Sequence, residues 1–600
     1  MTDTFQTRPE LRGDLGMVSS THWLASQAGM RQLELGGNAF DAAVAAAFVL
    51  QVVEPHQNGP GGDMTGVLSA GPGADPQVLC GQGVAPAAAT IDAFEALGLD
   101  MVPGTGTTAA AVPGATMALL LLARDRGTAS VRGLLEPAAF YARDGYPVTE
   151  RIAAYIARVA ALFREHWPTS AATYLPGGRP PKEGERLRNP ALARTYERLI
   201  DAADAAPGRE AGFDAAMAAW SRGFVAEAVD AFGRIAWMDS SGSPHRGMLT
   251  GDDMAGWRPS FEAPVSIRHE GLTVCKPGFW SQGPVFLQQL ALLEGLGADP
   301  ATADGIHAIV EASKLAFADR EAWYGDEPGL PHAALLDEAR TAERRALLGE
   351  TASYESRPGT LEGRRPRLPD LVARHEVDPT GLSGVGEPNA VAALLDSGPD
   401  ATGEARSDTV HVDAVDSTGA MVALMPSGGW LHSSPIIPEL GFPLGTRLQM
   451  AWLDRDHPNA LRPGKRPRTT LSPTLVLDDD VPVLAFGSPG GDQQDQWALH
   501  FLLHRIVGGR GLQEAIDMPA FHSTHTPSSF YPHEFQPGVV LIESRAEGST
   551  IASLRARGHR VGVAGPWEIG RMCAVGRDLG TGWLLAGANA RGMQGYAVGR

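Results

Sequence analysis

The sequence predicts an α/β protein in which helices dominate the first 350 residues and strands take over from residue 409. Two observations carry this reading. The apolar period is helical in segments such as Ala39–Val53 and Ala301–Trp323, and it switches to two from Thr409 onward. A third is the stretch from Glu355 to Arg406, rich in Pro, Gly and charge, which separates the two regimes.

Ala39–Val53 is Ala-rich and follows the turn Gly36-Gly37-Asn38, as a buried helix does. Asn58–Gly66 then places four glycines in nine residues, so the backbone there bends tightly or approaches something closely. Ala301–Trp323 carries Ile306, Ile309, Val310, Leu315 and Phe317 near helical spacing. Between Glu355 and Arg406 only Val391–Leu395 is apolar enough to pack, and the stretch reads as a long exposed connection.

Composition narrows the function. A chain of 600 residues, 43% hydrophobic and 20% charged, is an ordinary globular protein. Its net charge of −19 opposes a nucleic-acid partner, which needs a basic face. Cys80, Cys275 and Cys573 are scattered and form neither a disulfide framework nor a zinc motif. Met1–Asp14 has no apolar signal core, and Ala42–Val53 and Ala115–Ala123 are too short to span a bilayer. The expectation is a cytoplasmic protein with no membrane partner, no metal and no cofactor. Gly104-Thr105-Gly106 lacks the βα context and the distant acid of a dinucleotide loop. Whether the chain forms a homo-oligomer is left open.

Thr409-Val410-His411-Val412-Asp413-Ala414-Val415 alternates as a half-buried strand does; Asp416–Gly419 supplies turn chemistry, and Ala420–Met425 returns as a second strand. A four-residue loop sets Val415 against Ala420, Pro426 against Thr409 and Ser427 against Asp408. The Ser427 hydroxyl then lies near that of Thr409. A threonine hydroxyl needs a base to become a nucleophile, and the chain has no GxSxG elbow to supply one. Cutting the bond between Asp408 and Thr409 frees an α-amino group beside the hydroxyl, which can serve as that base. Taken alone, a threonine opening a strand is an ordinary β-former at a sheet edge.

Six segments in order change that weighting. Gly36-Gly37-Asn38-Ala39-Phe40-Asp41-Ala42-Ala43-Val44-Ala45, Val53-Glu54-Pro55-His56 with Gly59 and Gly61-Gly62, and Glu311–Arg320 are the first three. Thr409-Val410-His411, Pro463–Pro467 through Ser472-Pro473-Thr474, and Gly487-Ser488-Pro489-Gly490-Gly491 complete them. Together they resemble the gamma-glutamyltransferase family over nearly the whole chain.

The resemblance implies a four-layer αββα N-terminal-nucleophile hydrolase sandwich of two subunits cut from one precursor, 1–408 and 409–600. It implies Thr409 as nucleophile, Ser427 as its hydroxyl partner, and backbone N–H groups of Gly490 and Gly491 for the oxyanion. Thr469 and Thr470 fall at positions that contact the substrate carboxylate. His411 is expected to be structural, and Lys465-Arg466 reads as an anion-binding pair or a solvated turn.

The chain departs from the family at the head-group clamp. Gln82 stands where an arginine grips the substrate α-carboxylate, and an amide cannot form that bidentate charged pair. Met450 stands where a carboxylate holds the α-ammonium, Arg447 where the family has glutamine, and Gly429 where it has asparagine. The expected activity is therefore amide hydrolysis through an acyl-threonine on a small-molecule amide other than γ-glutamyl, with Arg447 pointing to an anionic, oxamate-like substrate. The alternatives are a conventional γ-glutamyltransferase or glutathione hydrolase, and a catalytically dead scaffold.

Overall fold

The computed structural model describes residues 6–369, 409–593 and 595–600. Two antiparallel sheets of seven strands form its centre. One runs Tyr596–Gly599, Gly16–Ser20, Val412–Asp416, Met421–Ser427, Asp63–Ser69, Gln77–Gly81, Ser260–Glu262. The other runs Leu11–Gly13, Leu584–Ala588, Cys573–Arg577, Val481–Gly487, Thr474–Asp478, Leu272–Lys276, Val265–His269. In both, strands from before and after residue 409 are interleaved, so neither part of the chain closes a sheet by itself.

Side-chain alternation sorts each strand into two faces. Val415, Met421, Ala423, Val67, Val78 and Cys80 of the first sheet cluster with Cys275, Leu475, Leu477, Ala485 and Val575 of the second. The opposite faces bury Val412, Ala414, Val422 and Leu424 against helices such as Ala39–Val53, and Val274, Val476 and Phe486 against Gly283–Leu293 and Gln494–Ile506. Helices thus pack on the outer face of each sheet, and an apolar seam lies between the sheets.

The helix Ala39–Val53 starts where its capping chemistry places it. Asn38 accepts from the backbone N–H groups of Phe40 and Asp41, and the Asp41 carboxylate accepts from that of Asn38. All its residues are buried, which explains why its apolar pattern runs around the whole circumference. The second expected helix begins at Ala303, capped by Thr302, and ends at Trp323. Of the long connection, residues 355–369 hold neither helix nor strand, and 370–406 lie outside the described residues. None of the described helices is long and apolar enough to cross a membrane.

Candidate active site

The strands Val412–Asp416 and Met421–Ser427 form a hairpin whose register differs by one residue from the expected one. Val415 pairs with Met421, Val412 with Leu424, and Thr409 with Ser427 through an isolated bridge. The cause is the turn. Gly419 donates to the Asp416 carbonyl at 2.9 Å, sits at φ +86°, and leaves Asp416 bonded to Ala420. This is a three-residue loop closed by a left-handed glycine, not the four-residue loop assumed from composition. The shift sets Thr409 directly opposite Ser427, and their hydroxyl oxygens lie 3.1 Å apart, both residues fully buried. Asp408 lies outside the described residues.

The row continues across the sheet. Ser427 pairs on its other side with Asp63, and the next ladder ends at Met64 with Gly81, so Gln82 follows beside Asp63. Directly paired residues share a face, and this row lies on the seam side, at the end of the apolar core between the sheets. The glycine-dense segment before Asp63 makes the approach expected of it: Gly62 packs against the carbonyl of Ser427.

Asp63 accepts from Arg447 Nε with both carboxylate oxygens at 2.8 Å. Arg447 is therefore not the lone cation that the sequence suggested, because its charge is matched by a residue 384 positions away. Burial pushes the Asp63 carboxyl up and Arg447 opposes that shift. The guanidinium carbon lies 5.1 Å from the Trp430 ring and 6.0 Å from that of Phe530. Nη1 is 3.9 Å from the Met450 sulfur, and Nη2 is buried with no hydrogen-bond partner among the described residues. Met450, Trp430 and Phe530 form one apolar cluster around it. Neither amide atom of Gln82 has a partner among the described residues either.

His411 lies on the Thr409 face of its strand and bonds through Nε2 to Asp413 Oδ1 at 2.7 Å. Burial lowers its pKa to about 3, so the ring is neutral at ordinary pH. It packs against Gly487, which brings the loop Gly487–Gly491 to the Thr409 end of the sheet. Gly490 takes φ +130° against the Trp497 ring, a conformation and a contact that a side chain would not allow. Asp492, one residue past the loop, forms a buried ion pair with Arg320 and accepts from the Ser529 N–H at 2.8 Å and the Ser529 hydroxyl at 2.7 Å. That network fixes Phe530 relative to the loop.

Thr469 is held by its backbone, donating to the Trp280 carbonyl at 3.0 Å, and its hydroxyl accepts from Leu471 N–H. The Thr470 hydroxyl is buried without a partner among the described residues. Lys465 bonds to the Pro458 carbonyl and lies 3.5 Å from Glu327, while Arg466 pairs with Asp326 at 2.8 Å and Glu262 at 2.6 Å. That pair serves a structural network. Among the described residues, His307, Glu311 and His559 are close enough to hold a metal. Most of their groups are already matched: His307 bonds to His559 Nε2 at 2.8 Å and to the Gly349 carbonyl at 2.9 Å, and Glu311 to Lys314 at 2.6 Å, while His559 Nδ1 has no partner among the described residues.

Sequence reasoning missed Asp63, Trp430, Phe530 and Asp492. Only Asp63 left a signal, a carboxylate inside a glycine-dense segment.

The model of the gamma-glutamyltranspeptidase family matches residues 25–599. The oxamate amidohydrolase proenzyme of Klebsiella pneumoniae is 31% identical over 97% of this chain and 98% of its own. The acylase ACY 1 proenzyme of Pseudomonas sp. strain V22 is 29% identical over 94% of this chain and 90% of its own. Among solved structures, one called LmbA2991HD superposes with a TM-score of 0.92 at 52% identity, covering 100% of both chains. The cephalosporin acylase of Bacillus halodurans follows at 0.80 and 28% identity, covering 100% of this chain and 98% of its own. The chain belongs to the gamma-glutamyltranspeptidase family and is a hydrolase of amide bonds.

Proposed function

We propose that this protein is a self-cleaving amidohydrolase that works through an acyl-threonine on a small anionic amide other than γ-glutamyl. The observation that carries this reading is the 3.1 Å contact between the hydroxyls of Thr409 and Ser427 at the end of the seam between the sheets. The fold is an αββα sandwich whose subunits, 1–408 and 409–600, come from one precursor.

Cleavage before Thr409 frees its α-amino group, which takes the proton of the Thr409 hydroxyl as that oxygen attacks the substrate carbonyl. Ser427 shares a hydrogen bond with the attacking oxygen and holds it in place. Backbone N–H groups of Gly490 and Gly491 meet the charge that develops on the carbonyl oxygen. The amine leaves with a proton returned from the α-amino group, and water releases the acyl group by the same route. His411, neutral and bonded to Asp413, orients the strand and takes no part in proton transfer.

Gln82 and Met450 provide neither charge that an amino-acid head group requires, whereas Arg447 provides donors. The amide-hydrolysing relative named for oxamate supports a short acid amide. The test is steady-state kinetics of purified, processed protein on oxamate beside a γ-glutamyl anilide. Turnover of oxamate well above that of the anilide is expected, and efficient γ-glutamyl turnover would overturn the substrate reading.

A further inference from the structure

The buried Asp63–Arg447 pair is incomplete in one direction. Asp63 occupies only the Nε side of the guanidinium. At the other edge Nη1 lies 3.9 Å from the Met450 sulfur and Nη2 has no hydrogen-bond partner among the described residues, beside the Trp430 and Phe530 rings. A buried donor left unmade costs about 1–3 kcal/mol, and Arg447 is 1% exposed, so water does not satisfy it from bulk. The Nη edge of a guanidinium matches the two oxygens of a carboxylate. Trp430 and Phe530 stand beside it as an edge-to-face pair, their centroids 6.1 Å apart and their planes at 62°.

Charge then decides what docking requires. Asp63 and Arg447 already cancel, so an arriving carboxylate would leave one uncompensated negative charge in a buried site, which is strongly unfavourable. Arg447 is the charged side chain that acts on Asp63. Ser427 and Gly428 face it from one neighbouring strand and Gln82 follows on the other, and none of these titrates. The freed α-amino group of Thr409 would stand one strand further, beyond Ser427.

We infer that the Nη edge of Arg447 is the subsite for a carboxylate on the acyl part of the substrate, and that Asp63 takes up a proton from solvent as this carboxylate docks. Asp63 thereby acts as a positioning residue. It holds Arg447 in the empty site and gives up its charge in the filled one. Burial already raises the Asp63 carboxyl, so the direction of its titration agrees. The inference rests on the amidohydrolase reading for the word substrate, but the binding event does not need turnover.

The test uses pyruvate, a short planar monocarboxylate without an amide, titrated calorimetrically into processed protein at pH 8 in two buffers of different ionisation enthalpy. Wild type is expected to take up close to one proton, with affinity falling about tenfold per pH unit above the Asp63 titration. Asp63→Asn keeps an acceptor for Arg447 Nε, and it is expected to bind pyruvate about tenfold or more tightly at pH 8, without uptake. Uptake that persists in Asp63→Asn would assign the proton to the α-amino group and overturn the inference, as would binding without uptake in wild type. The wild-type proton count stands even if the variant fails to fold. Absence of pyruvate binding by protein that hydrolyses amides would remove this subsite and leave the activity. Proton-linked binding by protein that hydrolyses no amide would keep the subsite and remove the activity.

Discussion

Asp63 pairs directly with Ser427, so the carboxylate that holds Arg447 stands on the strand next to the one bearing the hydroxyl partner of Thr409. On the proposed reading, chemistry and recognition share one row across the sheet, and substitutions along the row separate them.

Thr409→Ala is expected to remain one chain, whereas wild type should give two fragments on a denaturing gel, the smaller beginning at Thr409. Because the strands of both parts are interleaved, the fragments should co-elute on size exclusion until a denaturant is added. Full amide-hydrolase activity from uncut wild-type protein would refute the nucleophile assignment.

Ser427→Ala removes the hydroxyl 3.1 Å from Thr409 Oγ1. Cleavage and turnover should both slow by about 10²-fold or more, the range for losing one catalytic hydrogen bond. Gel densitometry and initial rates read the two effects separately, and unchanged rates would deny Ser427 its role.

Losing one partner of a buried charged contact costs about 2–5 kcal/mol. γ-Glutamyl anilides and glutathione should accordingly be poorer substrates than a short anionic amide by several orders of magnitude. Arg447→Ala should lower kcat/KM for the anionic amide, and Arg447→Lys should restore it only in part, since lysine lacks the planar fork. Equal rates for all three forms would show that Arg447 does not meet the substrate.

Asp492→Ala leaves the buried Arg320 guanidinium, among the described residues, only one carboxylate, that of Glu321, which Arg468 also engages, and unties Ser529, beside which Phe530 packs near Arg447. Breaking such a pair costs about 3–5 kcal/mol. A large fall in melting temperature is expected from scanning calorimetry, and a shift within error would show that the network is redundant.

Burial holds His411 at about 3 and does the same to His22, His504, His522 and His525. Folded, these rings stay neutral; unfolded, they protonate near pH 6.5. The unfolded chain binds more protons below that value, so stability is fully present above about pH 6.5 and is lost as pH falls toward 3. Glu54, raised to about 8 by burial, and Asp63, Asp413 and Asp495, also raised, work in the opposite sense above their unfolded values, four groups against the eleven histidines that burial lowers. The melting temperature should fall steadily between pH 7 and 5, and a level or rising trend would contradict this balance.

Much of the architecture was legible because it is local. Asn38 and Asp41 announce the start of a buried helix, and the period-two run after Thr409 announces the hairpin. The one-residue error arose because Asp416–Gly419 suits several loop lengths, and only the left-handed Gly419 selects one. Gln82 and Met450 marked a departure from the family pattern, but nothing along the chain joined Arg447 to Asp63.

The sequence by itself determined where the buried helix begins and which threonine opens the central hairpin, because each depends on residues close together in the chain. Only the tertiary structure decided that Arg447 is neutralised by Asp63, that Trp430 and Phe530 pack beside it, and that its Nη2 has no partner among the described residues. Strand pairing across the sheet brings those residues together, and no periodicity along the chain encodes a contact between positions 384 residues apart.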